Sequence, residues 1–181
     1  RTTVRPLVTV FLAAYNAGQY IEKALRSILA QTMDAFEVLV LDDGSRDNTL
    51  AVAMGVQDPR ITVFRNEENR GISRSLNSFM ELASGEFSAH TDADDISLPD
   101  RIQRQVELMR QDERISVCGC HYRMFGVSEH TVTLPLTSEV IRAQLLFSCS
   151  VPHPFVTFRG ECFRKHAIRD AEKLLCAVDS E

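Results

Sequence analysis

His90-Thr91-Asp92-Ala93-Asp94-Asp95-Ile96-Ser97-Leu98-Pro99 packs three carboxylates, Asp92, Asp94 and Asp95, into four positions. The stretch follows Glu86-Phe87-Ser88-Ala89, which reads as a short strand over residues 86–91. It precedes Ser97-Leu98-Pro99-Asp100, which predicts a helix start with Ser97 as cap and Asp100 three residues later. Acids this close repel one another, and a like-charge neighbour raises a carboxyl pKa unless a cation compensates. A hard divalent cation that also holds a phosphate supplies that compensation, because Mg²⁺ takes one or two carboxylates plus phosphate oxygens. The plainer alternative is a solvated acidic turn ahead of a helix, and the rest of the chain decides between the two.

Working outward, the acid turn is one exit in a repeating strand–helix series. Residues 7–13, Leu-Val-Thr-Val-Phe-Leu-Ala, are an unbroken apolar run of the kind a central parallel strand shows. The run ends at Ala14-Tyr15-Asn16-Ala17-Gly18, and Ile21, Ala24, Leu25, Ile28 and Leu29 then recur at helical spacing to about Gln31. Residues 36–41 form a second strand stopping at Asp42-Asp43-Gly44-Ser45, with a helix starting at Asp47-Asn48-Thr49. Residues 60–64 form a third, followed by a polar loop at Asn66-Glu67-Glu68-Asn69-Arg70-Gly71 and a helix ending at Ser84-Gly85. Ile102, Val106 and Met109 mark the helix after the acids, and residues 115–120 read as a fifth strand. This alternation predicts an α/β fold, a mostly parallel sheet with helices on both faces. Right-handed crossovers put the exits of strands one, two and four on one edge, where α/β proteins hold ligands. Tyr15-Asn16, Asp42-Asp43 and residues 92–95 are thereby expected in one crevice, which favours the binding reading of the acids.

Beyond Tyr122 the pattern loosens. Residues 124–135 are a polar, β-prone connection, and residues 138–147 read as a helix with Val140, Ile141, Leu145 and Leu146 on its apolar face. Ser150-Val151-Pro152-His153-Pro154 is expected to be extended, since a residue before proline avoids the helical region. Residues 155–158 read as a strand, and the last twenty residues carry a weak helical pattern.

The chain has 181 residues, 44% hydrophobic and 25% charged, enough for one domain with a real core. No apolar run approaches the roughly 20 residues of a membrane span. A net charge of −5 argues against nucleic acid as a partner. The five cysteines are scattered and lack zinc-knuckle spacing, so they read as reduced thiols of a cytosolic protein.

Four ordered motifs then resemble the family 2 glycosyltransferases, inverting sugar-transferring enzymes with the GT-A (Rossmann-like) fold. They are Val8-Thr9-Val10-Phe11-Leu12-Ala13-Ala14-Tyr15-Asn16 with Ser27-Ile28-Leu29-Ala30-Gln31-Thr32; Phe36-Glu37-Val38-Leu39-Val40-Leu41-Asp42-Asp43-Gly44-Ser45; Asn69-Arg70-Gly71-Ile72 through Ala83-Ser84-Gly85; and Asp92-Ala93-Asp94-Asp95 with Leu98-Pro99-Asp100-Arg101. His153-Pro154 with Val156 and Phe158-Arg159 is similar to the family's acceptor-side segment. The resemblance covers nearly the whole chain as a single domain, residues 1–122 matching the nucleotide-binding half and 123–181 the start of the acceptor-binding half.

The resemblance implies a nucleoside diphosphate sugar donor, most simply a UDP-sugar, a carbohydrate or lipid-linked acceptor, and Mn²⁺ or Mg²⁺. The family's Asp-x-Asp maps onto Asp92 and Asp94, with Asp94 on the metal and Asp92 on the ribose or supporting the metal. The base-reading acid maps onto Asp43, with Asp42 beside it, and Ala13, Ala14 and Tyr15 line the base pocket. Arg70 or Arg74 meets base or phosphate, and His153 stands near the metal or diphosphate. The catalytic base maps onto Asp179, with Val178 where the family carries an acid. Family members continue past this acid, so the resemblance implies a C-terminally truncated chain that binds donor but transfers weakly. It also implies surface polysaccharide or glycoconjugate synthesis and a cytoplasmic location, with peripheral attachment at the inner membrane face as an option.

Other classes fit less well. A receiver-like signalling domain needs its acid pair after the first strand and a lysine after the fifth, and neither is here. A dinucleotide oxidoreductase needs Gly-x-Gly-x-x-Gly after the first strand, and a nucleotidyltransferase needs a glycine-rich opening loop. A non-catalytic nucleotide-sugar-binding module shares every binding residue and differs only in the base.

Overall fold

The computed structural model describes residues 5–126, 128–144, 146 and 153–161; at Ile72, Ser73, Met80 and His153 the backbone alone is described. In order the chain forms β1 (Val8–Ala14), α1 (Ile21–Leu29), β2 (Phe36–Asp42), α2 (Thr49–Gly55), β3 (Ile61–Arg65), α3 (Ile72–Leu82), β4 (Phe87–His90), α4 (Arg101–Gln111) and β5 (Val117–Cys118). Then follow β6 (Tyr122–Met124), β7 (His130–Val132), α5 (Ser138–Gln144), a 3-10 turn (His153–Phe155) and β8 (Thr157–Arg159). Six strands make one sheet in the order β3-β2-β1-β4-β8-β5, and β6 pairs with β7 in a separate ribbon.

β1 sits between β2 and β4, parallel to both, so its side chains are buried on either face. Val8, Val10, Leu12 and Ala14 pack with Ile21, Ala24, Leu25 and Ile28 of α1, Ala53 of α2, and Ile102, Val106 and Met109 of α4. On the other face Phe11 joins Leu39, Leu41 and Phe79 of α3. The Phe11 and Phe79 rings stack with centroids 5.0 Å apart. The period-2 alternation along β1 therefore puts a core on each face, with helices covering both, as the sequence pattern predicts.

Several expectations need correction. Ser97 does not cap α4: the helix begins at Arg101, and Asp100 stands at its N-cap without a side-chain cap bond. The cap comes from across the structure. Gln31 Oε1 accepts from the Ile102 N–H at 3.0 Å, and Gln31 Nε2 donates to Leu98 O at 2.7 Å. The Ser97 N–H instead donates to Ser27 Oγ, so Ser97 is spent on docking the turn to α1. The fifth strand shrinks to Val117–Cys118, because β5 is an edge strand and its one partner, β8, is itself three residues long. β8 runs antiparallel between β4 and β5, an insertion that strand–helix alternation does not foretell. Residues 153–155 are a 3-10 turn rather than extended chain. Two buried side chains of α4 grip the carbonyls of Pro154 and Phe155, and proline's fixed φ suits a helical turn. α5 buries none of its described residues fully: of its expected apolar face Ile141 is half-buried, while Val140 and Leu146 are exposed. Ser150, Val151, Pro152, residues 145 and 147 of the expected helix, and the final weak helix with Asp179 lie outside the described residues.

Candidate active site

The parallel strands end together, and their exits are stitched to one another. The Asp43 N–H donates to Ala14 O, and the Thr91 N–H donates to Phe11 O. Asn16 holds a left-handed φ of 50°, which an asparagine tolerates better than most residues. From there its N–H donates to Ser45 Oγ and its Oδ1 accepts from the Arg46 N–H, both at 2.9 Å. The Ala17 N–H donates to Thr49 Oγ1 at 2.8 Å, and the Gly18 N–H to Asp47 Oδ2 at 3.0 Å. The loops after β1 and β2 thus form one fixed wall.

Against that wall opens a cleft of about 290 Å³ lined by Ala13, Tyr15, Asn16, Ala17, Tyr20, Asp92, Ala93 and Asp94. It unites four of the sequence-derived candidates, Ala13, Tyr15, Asp92 and Asp94. Asp92, Asp94 and Asp95 each present an oxygen within 4.8 Å of the others. Asp94 is exposed, while Asp92 and Asp95 are half-buried. Burial first, and then the charges of Asp92 and Asp94, push the Asp95 carboxyl up to about 6, against the pull of Arg101. An all-oxygen, multiply charged donor set opening on a cleft fits a hard divalent cation. His90, buried at the end of β4, brings Nε2 to 3.5 Å from Asp92 Oδ1 and so packs behind the acids.

The second-strand acids lie deeper. Asp42 is 1% exposed, accepts from the Ser45 N–H and stands 3.6 Å from Arg65 Nε. Asp43 is 4% exposed and already accepts three bonds: Asn66 Nδ2 and the Arg70 N–H on Oδ1, and the Gly71 N–H on Oδ2. All three donors come from the loop at residues 66–71. The first role visible for Asp43 is to hold the loop at residues 66–71. Gly44 makes that possible: its φ is +71°, and a Cβ there would lie 2.5–2.8 Å from the backbone of Glu68 and Asn69. Arg70 is held through its backbone with an exposed side chain, and Arg74 lies in the first turn of α3. His153 begins the 3-10 turn that α4 grips, and Asp179 lies outside the described residues.

Sequence reasoning missed Tyr20, Arg101 and Gln105. Arg101 carried a readable signal. A cation in the first turn of a helix opposes the macrodipole, so its place beside the acids asks for another reason.

With this geometry in view, relatives can be compared. The family described as Glycosyl transferase family 2 matches residues 9–170. An uncharacterized glycosyltransferase of Haemophilus influenzae is 31% identical over 176 residues, covering 90% of this chain and 54% of that protein. The Escherichia coli UDP-Glc:alpha-D-GlcNAc-diphosphoundecaprenol beta-1,3-glucosyltransferase WfgD is 30% identical over 145 residues, 80% of this chain and 57% of that one. The chain thus spans about half the length of these curated relatives. The structure of the mannosyltransferase PcManGT from Pyrobaculum calidifontis, in complex with GDP-Man and Mn²⁺, superposes with a TM-score of 0.67 at 24% identity, over 90% of this chain and 47% of that one, a likeness of fold. Among the described residues no helix is long and apolar enough to cross a membrane. The chain belongs to glycosyl transferase family 2.

Proposed function

We propose that this chain transfers a sugar from a nucleoside diphosphate donor, a UDP-sugar first, to an acceptor hydroxyl with inversion at the anomeric carbon. The observation that carries the reading is the carboxylate cluster at the β4 exit, facing a cleft whose other wall is Ala13 and Tyr15. A diphosphate and carboxylates repel, so Asp92 and Asp94 would hold Mn²⁺ or Mg²⁺, with Asp95 beside them. The bound cation supplies charge neutralisation and Lewis-acid stabilisation of the departing diphosphate. We assign Ala13 and Tyr15, which line the cleft, to the base side, and assign to the Asp43 carboxylate, an acceptor only, the reading of a base N–H, beside its bonds to the loop at Arg70. In the step itself, the acceptor oxygen bonds to the anomeric carbon from the face opposite the diphosphate. The anomeric C–O bond breaks with its electron pair passing to the diphosphate, through an oxocarbenium-like transition state. The hydroxyl proton passes to a carboxylate base, a role we assign to Asp179. We assign His153 to the metal or diphosphate, and Arg70 or Arg74 to the base or phosphate. WfgD is named for a lipid-linked GlcNAc acceptor, which supports a carbohydrate or lipid-linked acceptor for this chain; we assign it to polysaccharide or glycoconjugate assembly at the inner membrane face.

The test is incubation with UDP-glucose, UDP-GlcNAc and GDP-mannose, with Mn²⁺ and a pool of lipid-linked and oligosaccharide acceptors. Free nucleotide and glycosylated acceptor are measured, and the configuration of the new bond is read by proton coupling. Inverted product from one donor is expected. Retained configuration would overturn the stereochemical claim. Nucleotide binding without turnover would make the chain a nucleotide-sugar-binding module.

A further inference from the structure

α4 turns two buried polar side chains, Arg101 and Gln105, toward the carboxyl edge of the sheet; four residues apart, they share one helix face. Arg101 is 7% exposed. Its Nη1 donates to His90 O at 3.0 Å and to Pro154 O at 3.1 Å, and its Nη2 donates to Thr91 Oγ1 at 2.7 Å. Gln105 continues the same line. Its Nε2 donates to Cys118 O at 3.1 Å and Phe155 O at 2.8 Å, and its Oε1 accepts from Thr157 Oγ1 at 2.8 Å. A single guanidinium therefore joins the last residue of β4, the residue that precedes Asp92, and the turn that begins at His153.

This arrangement is a poor way to gain stability. A buried charge carries a desolvation cost that pairing seldom more than repays, and this one sits at the positive end of a helix dipole. Its Nε has no hydrogen-bond partner among the described residues. What a guanidinium does offer is a rigid planar fork that fixes several acceptors relative to one another. We propose that Arg101 is a positioning residue that locks the carboxylate turn at residues 92–95 to the 3-10 turn at His153–Phe155, so that the two turns move as one body. Gln105 braces the 3-10 turn alone, against β5 and β8. The proposal rests on reading residues 92–95 as the metal–diphosphate site, and it adds the linkage that holds that site in register with the acceptor side.

Arg101→Lys keeps the charge and loses the fork. Hydrogen exchange is measured on the free protein, and Mn²⁺ binding in the presence of UDP is measured by electron paramagnetic resonance on the folded variant. Exchange in residues 88–95 and 153–159 is expected to rise together, at least tenfold, while β2 keeps its protection. Gln105→Leu is expected to loosen residues 153–159 and leave 88–95 protected. Mn²⁺ affinity in Arg101→Lys is expected to fall 10- to 100-fold, the range typical when the support behind a ligand is removed. A merely structural arginine would lower the melting temperature and leave the folded protein's affinity unchanged. Wild-type affinity in folded Arg101→Lys, or exchange that rises in one segment only, overturns the proposal. If Arg101→Lys does not fold, Thr91→Val removes one acceptor at constant shape and is read by the same two measurements. Failure of the wild type to bind Mn²⁺ with UDP would sink the functional reading; the exchange experiment needs no ligand and decides the linkage by itself.

Discussion

Asp94 and Asp43 both follow the carboxyl end of a strand of the same sheet, yet their surroundings give them opposite work. Asp94 is exposed beside Asp92 and Asp95 and has only repulsion to lose. Asp94→Asn should therefore leave the free protein as stable or slightly more so, on the order of 0.5 kcal/mol as for other surface charge pairs. It should also weaken Mn²⁺-dependent nucleotide binding tenfold or more; thermal melts and calorimetry check the two signs. Asp43 is buried and satisfies the backbone N–H groups of Arg70 and Gly71. In Asp43→Asn an amide must turn a donor toward at least one of those donors. The expected loss is about 1–3 kcal/mol, the cost of a buried hydrogen-bonding group left unpaired, with faster exchange in residues 66–71. A melt unchanged within 0.5 kcal/mol would contradict the latch. That the acids would gather at a strand exit beside the β1 loop was legible in the sequence, because strand–helix alternation fixes where the exits lie. The burial of Asp43 was not legible, since its partners arrive from a loop more than twenty residues further on.

At the scale of elements, hydrophobic periodicity decides the parallel core, and polar side chains decide how the pieces dock. α4 shows the difference. Its apolar face, Ile102, Val106 and Met109, is readable at helical spacing. Its start is not, because the cap comes from Gln31 at the end of α1 rather than from Ser97 nearby. Gln31→Leu should thus cost about 1–2 kcal/mol, the usual value of a lost helix cap, and the melting temperature reports it. Ser97→Ala should cost less, under about 1 kcal/mol, the scale of one neutral hydrogen bond, since the buried Ser97 engages through its backbone N–H, which the substitution keeps. Gly44→Ala tests the loop contact: a left-handed φ and a Cβ inside normal contact distance of Glu68 and Asn69 should together cost more than about 1 kcal/mol. The insertion of β8 between β4 and β5 was likewise hidden, because three residues carry no periodicity that names a partner.

At the scale of the whole molecule, one central strand serves both the core and the cleft. β1 is buried on both faces and hands its exit, Tyr15-Asn16, directly to the cleft wall. Leu12→Ala removes a fully buried side chain from the larger core. It should cost about 2–5 kcal/mol, as deep Leu→Ala substitutions do, and denaturant titration reads it. Strand–helix alternation made this architecture and the meeting of three strand exits legible. The linkage through Arg101 was not, since it joins residues more than fifty positions apart. The central claim is that the acids at the β4 exit bind a nucleoside diphosphate through a divalent cation. Calorimetric titration of the chain with UDP, GDP and dTDP, each with and without Mn²⁺, tests it most directly, with Asp94→Ala as the paired variant. UDP is expected to bind in the presence of Mn²⁺, weakly or not at all without it, and Asp94→Ala is expected to abolish the dependence. Nucleotide affinity that is identical with and without Mn²⁺, or untouched in Asp94→Ala, would contradict it.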